Sequence, residues 1–160
     1  MLQDWLRWLE NTGVAVSVRE SLWLYPAVET MHIIGFVTLV GAAAMFDLRL
    51  LGRSRGLPVS DTARHLLTWS RASLLIVVPS GFLLFMSNAT ALSTNPAFRL
   101  KLVLLAAAGM NAFLFHRWPF RTVTMWNRDV QPPAAAKISA GVSLALWAGV
   151  ITCGRFIAYF

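Results

Sequence analysis

Residues 27–51 read AVETMHIIGFVTLVGAAAMFDLRLL, and from Ile33 to Phe46 this run holds no charged side chain. A hydrocarbon core of about 30 Å takes roughly 20 helical residues to cross, so the stretch is long enough to span a bilayer as one helix. Its polar residues gather at the two ends: Glu29 and His32 at the head, Asp47 and Arg49 at the foot.

Three further stretches have the same character, near Arg71–Ala91, Phe98–Trp118 and Ile138–Tyr159. Together they predict an all-α integral membrane four-helix bundle. Composition agrees, because 57% hydrophobic against 13% charged residues leaves too little polar surface to coat a small soluble globule. Ahead of the spans, Trp5, Leu6, Trp8 and Leu9 alternate with Asp4, Arg7 and Glu10 at helical spacing. The chain therefore divides into an amphipathic interfacial segment, residues 1–25, and a bundle, residues 26–160, with Pro26 in the first turn of the first span. The N-terminal stretch has neither the basic start nor the cleavage site of a signal peptide, so the first span is expected to act as its own insertion signal.

Charge sets the expected orientation. The formal net charge is +7, but the basic residues cluster where a membrane protein needs them, and nucleic acid is set aside. Arg49, Arg53, Arg55, Arg64 and Arg71 flank the first connection, and Arg117, Arg121, Arg128 and Lys137 flank the third. Both connections are expected in the cytoplasm. The middle connection, Ser87–Ala97, carries no charge and faces the other side, as do both termini (N-out/C-out). Trp23, Tyr25, Trp118, Trp126 and Tyr159 are expected at the interfaces. Small residues at Gly41–Ala44, Ala106–Gly109, Gly141, Ala145 and Gly149 suit close helix contact.

Ionisable groups inside a span are costly and usually face the bundle interior. Glu29, His32, Lys101 and Arg155 come from three helices at similar depth near the outer face. Glu29 and His32, spaced i, i+3, share a face where the carboxylate can orient the imidazole. Structural roles compete for these residues: lysine and arginine near a helix end can snorkel, and Glu29 with Arg155 can form an interhelical ion pair. Imidazole reaches less far and is a common ligand of heme iron in bundles. A second set, His65 and His116 with Asp47 and Arg71, lies at the inner side. Depth separates its two histidines, and an Asp47–Arg71 pair is the expected feature there.

Other chemistries find few residues. A single Glu-x-x-His, Glu29 to His32, falls short of a di-iron carboxylate site. There is no cysteine cluster and no glycine-rich phosphate loop. Met31, Met45, Met86, Met110 and Met125 are scattered in depth and read as core filling. Asn111 is expected to donate an interhelical hydrogen bond, Pro79 to kink the second span, and Cys153 to be a plain buried thiol.

Arg19-Glu-Ser21 with Tyr25-Pro26, Glu29-Thr-Met-His32, Asp47-Leu-Arg-Leu-Leu-Gly52 and Gly154-Arg-Phe-Ile-Ala-Tyr159 resemble an uncharacterised bacterial inner-membrane family, a domain of unknown function, over nearly the whole chain. More distantly, His32-Ile-Ile-Gly-Phe-Val37 and Arg99-Leu-Lys-Leu-Val-Leu104 leading to His116 are similar to the CopD/HemJ-like four-helix membrane proteins. That resemblance implies heme b at the outer side, with His32 as iron ligand and Lys101 as second ligand or nearby charge. The chain departs from those proteins in its longer N-terminal segment, its Asp47-Leu-Arg motif and its fourth helix.

Three functions remain open. The first is a heme b-binding redox or electron-transfer module in which His32 ligates iron, Glu29 orients it, Lys101 ligates or lies close, and Arg155 with Arg99 neutralises the propionates. Its partner would be a quinone or an outer-face redox protein. The second is a cofactor-free accessory or scaffold subunit of a membrane complex, as an oligomer or with other proteins. The third is a CopD-like metal-uptake component, which needs a polar path through Asn111 toward Asp47 and Arg71.

Overall fold

The computed structural model describes residues 1–160 and contains helices and no strands. Two short helices, α1 (Leu2–Glu10) and α2 (Gly13–Glu20), precede α3 (Leu24–Leu50) and α4 (Val59–Met86). The six-residue α5 (Ala89–Thr94) leads into α6 (Pro96–Arg117), and α7 (Ala134–Phe156) closes the chain. The shortest long helix, α6, has 22 residues, or about 33 Å, and all four are long and apolar enough to cross a membrane. Their outward side chains are apolar, with Val37, Leu75, Val103 and Ile151 exposed, so lipid is the solvent that this surface suits. The protein is an all-α, multi-pass four-helix bundle.

The bundle is two antiparallel hairpins. Helix α3 packs along α4 and α6 along α7, and α3 joins the pairs by packing on α7, whereas the backbones of α4 and α6 stay apart and meet at the stacked rings of Phe85 and Phe98. Close approach within the first hairpin depends on glycines on both sides. A methyl group at Gly35 would lie 2.9 Å from Val77 Cγ2, and one at Gly81 would lie 2.9 Å from His32 Cε1. At Gly149 the neighbour is Leu104 of α6, 3.0 Å away. Gly41, Gly109 and Gly141, expected at helix contacts, border open space instead. The methionines also differ from expectation: Met31, Met45, Met110 and Met125 point outward, and Met86 alone of the five is buried.

The second span differs in extent. Helix α4 starts at Val59, where Pro58 precedes its first turn, and stops at Met86 rather than Ala91. Beyond it the Ser, Thr and Asn side chains of residues 87–95 compete for backbone groups and break the chain into a short helix. Glu10 holds that helix. Its carboxylate accepts from the backbone N–H and the hydroxyl of Thr90, each at 2.8 Å. Leu6 and Leu9 of α1 pack with Ala15, Met86 and Ala89, leaving Trp5 and Trp8 exposed.

At the opposite end the two basic connections form one body. Arg49 is 3% exposed and donates to three backbone carbonyls, those of Leu57 (2.7 Å), Arg55 (3.2 Å) and Asn127 (3.1 Å). Val59 N–H donates to the carbonyl of Asn127, and Ser60 N–H to its side chain. Phe46, Leu50, Val59, Phe115 and Trp126 fill the space beneath. Trp126 is therefore core, not an interfacial anchor, with its indole N–H on Thr122 Oγ1. Arg49, read as an orienting surface charge, is instead the tie between the loops.

Candidate functional site

All four spans meet at the level of His32, about 12 Å along α3 from its start. The imidazole leans on α4, where Gly81 leaves room for the ring. His32 Nδ1 lies 3.0 Å from Ser80 Oγ and 3.2 Å from the carbonyl oxygen of Val77. The carbonyl only accepts, and the Ser80 hydroxyl proton is directed to the Ile76 carbonyl at 2.6 Å. A hydrogen on Nδ1 satisfies both oxygens at once, and this is the tautomer that the contacts favour. In that tautomer the lone pair of Nε2 is free, the form in which an imidazole binds a metal.

Aromatic rings and one cation complete the cluster. Phe36, one turn along α3, stacks near His32 with centroids 6.4 Å apart, and meets Trp147 of α7 edge-on at 6.1 Å. Lys101 Nζ of α6 lies 5.8 Å from the centre of the Phe36 ring. A methyl group on Gly154 of α7 would sit 3.8 Å from that amine. Lys101 makes no hydrogen bond and no salt bridge, so a half-buried ammonium stands among apolar groups with its donors free. Ser80, Gly81, Phe36 and Trp147 were not singled out from the sequence. Pro79-Ser80-Gly81 in mid-span and a tryptophan remote from either interface were the available signals.

Other expected members stand apart. Glu29 is exposed and makes no hydrogen bond, so it does not orient His32; the orienting groups are Ser80 and Val77. Residues three apart on a helix differ by about 60° in direction, enough to send one to α4 and the other outward. Arg155 is exposed and turns to Tyr159, 5.7 Å from its ring, rather than to Glu29 or the cluster. Arg99 is likewise exposed, with Nε donating to the Ser93 carbonyl at 2.7 Å.

The inner set does not assemble. His65 lies on the exposed face of α4 beside Asp61, Arg64, Thr68 and Trp69. His116 of α6 sits between Phe115 and Phe120, its Nδ1–H donating to the Ala112 carbonyl at 2.8 Å. The two histidines share no contact of this kind. Arg71 is exposed, and Asp47, 6% exposed, has no ion pair, with its Oδ2 buried and without a hydrogen-bond partner. The Asp47–Arg71 pair is absent: Asp47 is buried in the bundle and Arg71 lies on its exposed surface. Asn111 does bridge helices, donating to the Ser139 carbonyl (2.9 Å) and accepting from the Ser139 hydroxyl (3.1 Å).

A family model described as a family of unknown function matches residues 16–160, all of the bundle and most of α2. No curated protein and no solved structure matches the chain.

Proposed function

From the premise that the chain belongs to DUF6644, a family of unknown function, we propose that it is a heme b-binding electron-transfer module of the bacterial inner membrane. The observation that carries this reading is the free Nε2 of His32, held in the interior of a span with its Nδ1–H committed to Ser80 and Val77. A lone imidazole is a poor cage for a bare ion, and no group of three or more His, Cys, Asp or Glu side chains converges anywhere in the chain. A macrocycle brings four in-plane nitrogens of its own and needs only axial donors from the protein, which this donor set suits.

Heme at this position would supply one-electron chemistry, at a potential tuned by its axial donor and its surroundings. His32 binds; Phe36 and Trp147 keep water from the site; Lys101 supplies the positive charge for a propionate. Arg155 and Arg99, engaged elsewhere, are not needed for that charge. The positive-inside rule puts the His32 end of the bundle toward the extracytoplasmic side, within reach of a quinone in the bilayer or a redox protein at the outer surface.

Purified protein tests the reading. A Soret band should survive washing and disappear in His32→Ala, while Glu29→Gln keeps it. A well-folded preparation that stays colourless when offered hemin overturns it and favours the accessory subunit.

A further inference from the structure

We infer that Ser80 is a positioning residue for His32, and that Pro79-Ser80-Gly81 of α4 is built as the receptor for its imidazole. The inference deepens the heme reading but stands on geometry that holds without any cofactor.

Ser80 is 4% exposed, and its hydroxyl both donates and accepts. It donates to the Ile76 carbonyl at 2.6 Å and receives the His32 Nδ1–H at 3.0 Å. A hydroxyl that donates is a stronger acceptor, because hydrogen bonds in a chain polarise one another. Electron density is thereby pushed toward Nε2, which becomes the better donor to a metal. Val77 offers a carbonyl at 3.2 Å to the same Nδ1–H, and two oxygens on one side of the ring favour this tautomer over the opposite one.

Neighbouring residues explain why the receptor sits at this turn. Pro79 has no N–H, so the Leu75 carbonyl loses its usual ladder partner, and the Ser80 hydroxyl bonds back to Ile76 in the same turn. Helix α4 thus runs one backbone hydrogen bond short where His32 meets it. Gly81 then leaves the ring its space: even the methyl group of alanine would meet Cε1 at 2.9 Å and drive the imidazole away from Ser80. Serine fixes the donor and glycine the ring's seat.

Nitrogen NMR on protein labelled at its three histidines tests this without cofactor, with His32 assigned from His32→Gln and spectra recorded at about pH 8, above the ordinary imidazole range. His32 should show a protonated Nδ1 and an unprotonated Nε2. Ser80→Ala and Gly81→Ala should move the His32 signals toward a mixture of tautomers, leave those of His65 and His116 in place, and Ser80→Thr should restore the wild-type pattern. In hemin titrations, Ser80→Ala should weaken binding by roughly tenfold or more and raise the reduction potential. A wild-type His32 protonated at Nε2, or a Ser80→Ala spectrum identical to wild type, overturns the inference. If the NMR pattern holds while no variant binds hemin, the heme proposal fails and the positioning role survives.

Discussion

Lys101 Nζ lies 5.8 Å from the centre of the Phe36 ring, inside a membrane span and without a carboxylate beside it. An aromatic face attracts a cation, by about 2 kcal/mol when both are desolvated, and this offsets only part of the cost of holding an ammonium among apolar groups. A residue that the fold does not need, held at some expense, is what a ligand site produces.

Lys101→Met should therefore divide stability from binding. The apoprotein is expected to unfold at an equal or higher denaturant concentration than wild type, while its affinity for hemin falls about tenfold. Lys101→Arg should retain most of the affinity. A Lys101→Met protein that unfolds readily would show the lysine to be structural.

Arg49 presents the opposite case. Loss of three carbonyl partners in Arg49→Ala should cost about 3 kcal/mol and open the basic connections to protease. Arg49→Lys should recover little, because one ammonium cannot reproduce the spread of a guanidinium over Leu57, Arg55 and Asn127. Denaturant titration and limited proteolysis would read both effects.

Glu10→Ala should loosen the far end without touching the spans. Two hydrogen bonds to Thr90 disappear at the first turn of α5. Amide exchange across Ala89–Thr94 should quicken about fivefold, equivalent to about 1 kcal/mol of lost capping. Unchanged exchange there would mean that α1 does not hold α5.

Orientation can be read chemically. In a Cys153→Ser background, Thr94→Cys should react with a membrane-impermeant maleimide in intact cells, and Arg53→Cys only after permeabilisation. The reverse pattern would put the His32 end in the cytoplasm and remove the outer-face partner.

The four spans were legible in the sequence because partition into lipid is a local property: an uninterrupted apolar run settles it, whatever the run later touches. The same local logic exposed α1, whose apolar residues repeat at helical spacing. His32 and Lys101 could be picked out for a related reason, since a polar group among apolar neighbours is conspicuous along the chain itself.

Partnership was not legible, because it depends on how each helix is rotated and which neighbour it meets. Glu29 and His32 share a helix face in the linear pattern, yet only His32 turns to α4, where Ser80 and Val77 take the role that Glu29 seemed to offer. Arg49 looked like one more orienting charge until three carbonyls, brought together by two distant loops, enclosed it. Sequence by itself determined the number of spans and which groups are costly to bury; the tertiary structure decided which of them meet, since that rests on contacts between residues far apart in the chain.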